Sequence, residues 1–133
     1  MINENIPEIL NAYKKIAVIG ISSKPDRPSH YVSMFMKEHG YQIIPVNPGL
    51  DEVLGEKCYS TLSEIPHAVE VVDIFRRPEY VDEIVDEAIK AGAKVIWMQE
   101  GIINKNAAQK AIEAGLKVVM DRCIKTEYRK WIL

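Results

Sequence analysis

The sequence is poor in several of the features that would mark it for particular tasks. Only two cysteines occur, Cys58 and Cys123, far apart and in no C-x-x-C or zinc-ligand spacing, which argues against a disulfide framework and a metal site. Basic residues do not outnumber acidic ones: 17 Lys and Arg stand against 19 Asp and Glu, for a formal net charge of −2, so the basic excess of a nucleic-acid binder is missing. No segment approaches the ~20 consecutive apolar residues of a membrane-spanning helix. The opening MINENIPEIL has no basic region followed by a long apolar run. Together these absences predict a cytoplasmic protein with no nucleic-acid or membrane partner.

What is present is a chain of 133 residues, 47% hydrophobic and 27% charged, suited to a single domain over residues 1–133 with a substantial core. Five apolar runs rich in β-branched residues stand out: KIAVIG (15–20), YQIIPVN (41–47), VEVVDIF (69–75), AKVIWM (93–98) and LKVVM (116–120). They are nearly continuous, the pattern of strands covered on both faces. Between them lie helical patterns. Val32, Phe35, Met36 and His39 form a stripe over residues 29–39 that starts after Pro28 and stops at Gly40. Val81, Ile84, Val85, Ala88 and Ile89 form another over 79–91, and an Ala-rich stripe over 105–114 has Asn104 as its predicted N-cap.

A leading helix over 4–13 and a trailing one over 124–133 complete the set. Segment 48–66 is expected to replace a crossover helix with a loop carrying a short strand near 57–59. The echo between AIKAGAKV (88–95) and AIEAGLKV (111–118) matches at six of eight positions and marks a repeated helix-strand unit. The predicted fold is α/β: a Rossmann-like three-layer αβα arrangement with a mainly parallel five-stranded sheet.

Ligands of open parallel sheets bind beyond the carboxyl ends of the strands, where strand order reverses. The turn after the first strand, GISSKPDRPS, puts Gly20 where the backbone swings close, then offers Ser22, Ser23, Lys24 and Arg27 beside a helix N-terminus. Free N–H groups, hydroxyls and cations together suit a phosphate. The glycine-rich G-x-G-x-x-G of a dinucleotide site is absent, and the second strand ends in Asn47 and Pro48 rather than in a ribose-binding acid. Phe75 and Arg76 follow the third strand as a flat surface and a cation. Gln99 and Gly101 follow the fourth. Asp73 lies inside its strand without the acidic neighbours that a phosphoacceptor's magnesium would need. His30, His39 and His67 are scattered, and no residue is assigned a catalytic role from spacing.

Taken together, GISSKPDRPSHYV, GYQIIPVNPG, VVDIFRRPEYV, KVIWMQEGI and VVMDRCIK closely resemble the small bacterial and archaeal CoA-binding proteins. The likeness runs from about residue 13 to 128 and extends to the N-terminal domain of the succinyl-CoA synthetase α subunit. It implies that coenzyme A lies across the strand ends. Gly20, Ser22, Ser23, Lys24 and Arg27 would hold its phosphates. Asn47, Pro48, Phe75 and Arg76 would line the adenosine end, and Gln99 with Gly101 would follow the pantetheine arm. The chain departs from the pattern at Leu50, where the synthetase domain has a lysine, and at Glu100, where small relatives commonly read QLG. The synthetase's phosphohistidine domain has no counterpart, so the resemblance does not imply a complete acyl-CoA ligase.

Three functions compete on this reading. The first is a binding module that holds CoA or an acyl-CoA without turnover, as carrier, sensor or partner subunit. The second is thiol or acyl-transfer chemistry at Cys123, with Arg122 and Lys125 nearby to favour the thiolate. The third is a small NAD(P)-dependent oxidoreductase, which the missing glycine-rich turn disfavours. The apolar tail WIL offers a contact to this domain, to a protein partner or to a second copy.

Overall fold

The computed structural model describes all 133 residues. Seven strands form in chain order: β1 (Lys15–Ile19), β2 (Gln42–Val46), β3 (Glu52–Val53), β4 (Glu56–Lys57), β5 (Val71–Ile74), β6 (Val95–Met98) and β7 (Lys117–Val119). Five helices accompany them: α1 (Ile6–Ala12), α2 (Pro28–Glu38), α3 (Val81–Lys90), α4 (Lys105–Glu113) and α5 (Ile124–Trp131). Five strands make one parallel sheet in the order β2-β1-β5-β6-β7. This is the expected Rossmann-like α/β architecture, with helices covering both faces of the sheet.

Each strand sends alternate side chains into two separate cores, which explains why the runs are apolar throughout. On one face Ile16, Val18, Val71, Val95 and Trp97 pack with Ile9 and Leu10 of α1, Val32 and Met36 of α2, and Ile124 and Tyr128 of α5. On the other, Ala17, Ile19, Val72, Ile74, Ile96 and Met98 meet the α3 stripe and Ala107, Ala108 and Ala111 of α4. Burying one branched aliphatic side chain stabilises by roughly 1.5–3 kcal/mol, so these two layers supply the main driving force. Asn104 caps α4 as expected: its Oδ1 accepts from Ala107 N–H at 2.9 Å.

The excursion after β2 is more ordered than a loop. β3 and β4 form a small antiparallel hairpin, Tyr59 makes a single parallel bridge to Val46, and a 3-10 turn follows at Leu62–Glu64. Lys37 of α2 fastens the hairpin, donating to Leu54 O and pairing with Glu56 at 3.0 Å. The helix expected from residue 79 begins as a 3-10 turn, Pro78–Tyr80, before α3. His30 is buried, with Nδ1 2.9 Å from Ser22 O, and His39 stacks on Phe35 at 4.0 Å between centroids. No helix is long and apolar enough to cross a membrane.

Candidate functional site

The chain runs from β1 outward to β2 and then returns to the far side of β1 to lay down β5. Strand order therefore reverses between β1 and β5, and the turns after these two strands face each other at the carboxyl rim. Gly20 and Phe75 are where they meet. Gly20 has φ +86°, and a Cβ built there would lie 2.8 Å from Phe75 O and 2.9 Å from Arg76 Cδ. Only glycine permits this approach.

Asn47 ties a third turn to the first. Its Nδ2 donates to Ile21 O at 2.8 Å, and its Oδ1 accepts from Gly49 N–H at 2.8 Å. Gly20 N–H also donates to Val46 O at 2.9 Å. Within the first turn, Ser22 Oγ accepts from Lys24 N–H at 3.0 Å, while Ser29 Oγ accepts from Ser22 N–H at 2.9 Å. Ser23, Lys24 and Arg27 are exposed above α2, whose N-terminal turn begins at Pro28.

Two cavities open at the rim on opposite faces of the sheet. The first, about 590 Å³, is lined by Gly20, Asn47, Pro48, Thr61, Arg76 and Tyr80, with Glu83 and Glu87 of α3 at its side. The Arg76 guanidinium lies 4.3 Å over the Tyr80 ring, which gives this cavity a flat, cationic wall. The second, about 480 Å³, lies between the N-terminal ends of α2 and α5 and is lined by Tyr31, Val32, Phe75, Gln99, Cys123 and Lys125, among others.

The expected site residues thus divide. Gly20, Asn47, Pro48 and Arg76 share the first cavity. Phe75, grouped with Arg76 on the sequence, opens instead onto the second cavity with Gln99 and Cys123. Consecutive residues of an extended segment point to opposite faces, and that separates the pair. Ser22, Ser23, Lys24 and Arg27 line neither cavity and form the turn between them. Gly101 is exposed outside both, its N–H donating to Asp121 Oδ1 at 2.7 Å.

Gln99 is only 3% exposed. Its Nε2 donates to Asp73 Oδ1, and its Oε1 accepts from Ile124 N–H at 3.4 Å. Burial pushes the Asp73 carboxyl up to about 7, against the opposing effect of the Gln99 hydrogen bond. Both cysteines are free thiols. Cys58 is buried with Sγ 3.6 Å from Asn47 O, and that burial pushes its thiol up. Cys123 is half-buried at the N-cap of α5 and faces the second cavity. Lys125 shares that cavity, whereas Arg122 turns its Nη1 to Asp121 O at 2.9 Å.

Tyr80, Thr61, Tyr31 and Arg129 were not singled out by the sequence. Arg76 and Tyr80 stand four residues apart on either side of Pro78, which opens a 3-10 turn, and that spacing is the signal for the first of these. Thr61 had none, because nothing local shows that the 48–66 excursion folds back over the rim.

A family model of the CoA binding domain matches residues 14–129. The chain belongs to the CoA-binding domain family. Its similarity to the Bacillus subtilis (strain 168) protein YneT is 46% identity over 123 residues, covering 92% of this chain and 91% of that protein. A Pyrococcus horikoshii OT3 protein of solved structure superposes with a TM-score of 0.94 at 48% identity, over 98% of this chain and 92% of the other. Similarity to an ADP-forming acetate–CoA ligase II of Archaeoglobus fulgidus is 32% over 93 residues, which is 67% of this chain but 14% of the ligase. For a CoA-binding domain the geometry is suitable: an elongated ligand with anionic groups in its middle could cross the first turn with one end in each cavity.

Proposed function

We propose that the protein binds coenzyme A or an acyl-CoA across the carboxyl ends of the strands and holds it without turnover, as a carrier, sensor or partner subunit. The observation that carries this reading is the arrangement of two cavities on either side of a polar, cationic turn at the point of strand reversal. The phosphates lie at Gly20, Ser22, Ser23, Lys24 and Arg27, where hydroxyls, cations and the N-terminal end of α2 act together. The adenosine end occupies the first cavity against Asn47, Pro48, Arg76 and Tyr80. The pantetheine arm follows Phe75 and the backbone near Gln99 and Gly101 toward the second cavity.

Gln99 enters this reading through its backbone and position, because its side-chain amide is already engaged by Asp73 and Ile124. A ligand that binds only the folded protein raises its stability, by ~2.7 kcal/mol at a hundredfold excess over Kd. Thermal unfolding with CoA, NAD and NADP at equal concentration is the test. A rise with CoA alone supports the reading; a rise with NAD or NADP alone overturns it.

Cys123 favours a second reading, thiol exchange with CoA, because it is the half-buried cysteine and lines the second cavity. Its thiolate would attack one sulfur of CoA disulfide, forming a mixed disulfide and releasing one CoA thiolate. Intact-mass spectrometry after incubation with CoA disulfide tests it. An adduct that disappears in Cys123→Ser supports exchange, and an unmodified wild-type protein excludes it.

A further inference from the structure

The second cavity holds more than a thiol. Tyr31, Val32, Phe75 and Ile102 give it apolar walls, suited to methylene groups. Lys125 and Arg129, one turn apart on α5, line the same space, with the Thr126 hydroxyl between them in sequence. Neither cation has a carboxylate partner: the four ion pairs of the protein involve Met1, Lys37 and Lys110. Lys125 Nζ rests 5.0 Å from the Phe35 ring centroid and 5.7 Å from that of Tyr31, so the ammonium is held over aromatic surface near the cavity with no anion to neutralise it. Against these two positive charges the cavity has one carboxylate, Glu100. The opposite cavity shows the reverse balance, with Arg76 facing Glu83 and Glu87.

We propose that the second cavity receives the acyl group of an acyl-CoA and selects a short chain that ends in a carboxylate. The inference rests on the CoA reading above, which brings the thioester end of the ligand to this side of the rim. The methylenes lie against Tyr31, Val32 and Phe75. The terminal carboxylate pairs with Lys125 and Arg129, beside the N-terminal turn of α5, whose dipole favours negative charge. A neutral chain of equal length would occupy the same walls and leave both cations without an anionic partner.

The test is calorimetric titration of the full chain with CoA, valeryl-CoA and glutaryl-CoA, the last two having acyl chains of five carbons and differing in the terminal carboxylate. The expected result is glutaryl-CoA binding about tenfold or more tightly than valeryl-CoA, equivalent to ~1.4 kcal/mol. That preference should collapse in Lys125→Met with Arg129→Met, and fall in Arg129→Met alone, a substitution at an exposed position that leaves the core intact. Equal affinities for the two acyl-CoAs, or tighter binding of valeryl-CoA, overturn the acyl selection while leaving CoA binding in place. Binding of none of the three overturns the CoA reading and the inference with it.

Discussion

Asp73 and Gln99 form a buried polar pair between neighbouring strands, Gln99 Nε2 donating to Asp73 Oδ1 inside an otherwise apolar layer. Because Gln99 Oε1 accepts from Ile124 N–H, the pair also ties the start of α5 to the sheet. The helix that carries the second cavity's cations therefore hangs partly on a carboxyl group in the core.

That carboxyl gives stability a pH dependence of defined sign. The folded-state value, about 7, lies above the ordinary 3.8, so the folded protein holds this proton more tightly than the unfolded chain does. Its contribution is fully present below pH 3.8, falls as pH rises through the window to about 7, and is flat above it. The slope is at most ~1.4 kcal/mol per pH unit. Urea unfolding of wild type and Asp73→Asn at pH 5 and pH 8 checks this. The variant should gain stability relative to wild type at the higher pH, and equal differences at both would contradict it.

Gly20→Ala should destabilise the fold by about 1–3 kcal/mol, since it combines a left-handed backbone with overlap against Phe75 O. Because the shift needed to relieve that overlap separates the turns after β1 and β5, CoA affinity should fall as well. Denaturant unfolding and a CoA titration of the same variant read the two effects separately.

Tyr41 donates its hydroxyl to Leu10 O at 2.6 Å, and burial pushes the phenol up to about 12. This bond joins the end of α1 to the entry of β2. Tyr41→Phe should lower stability by about 0.5–1.5 kcal/mol, the net worth of one buried hydrogen bond, because Leu10 O then keeps only the Lys14 ammonium, at 3.2 Å. CoA affinity should not change. A loss of ligand binding without a loss of stability would contradict this purely structural role.

Arg27→Ala removes an exposed cation at the mouth of α2 and should weaken CoA binding by roughly tenfold to a hundredfold, the range of a charge-assisted hydrogen bond of ~1.5–3 kcal/mol. The wild-type affinity should also fall as salt is raised, and fall less steeply in the variant. Titrations at two ionic strengths give both quantities.

The strands were legible because both faces of the parallel sheet are covered, so Ile16 to Ile19 had to be apolar without a break. Pro28, Gly40 and Asn104 marked helix ends through backbone chemistry that operates locally. The β3–β4 hairpin was not legible. Its turn places both Leu54, at φ 57°, and Gly55, at φ 75°, in the left-handed region, and leucine is not a residue that announces such a turn. The roles of Phe75 and Gln99 were hidden for a different reason. Gln99 finds Asp73 only once β5 and β6 are in register, with Asp73 opposite Trp97, and adjacent residues such as Phe75 and Arg76 separate only when the sheet divides them.

The most direct measurement is a two-dimensional amide NMR titration with CoA. The account predicts shifts confined to the rim: residues 20–27, 47–49, 75–76, 80, 99–101 and the start of α5. Shifts concentrated instead in the cleft around Ser63, His67 and Lys90, or none at saturating CoA, would contradict it.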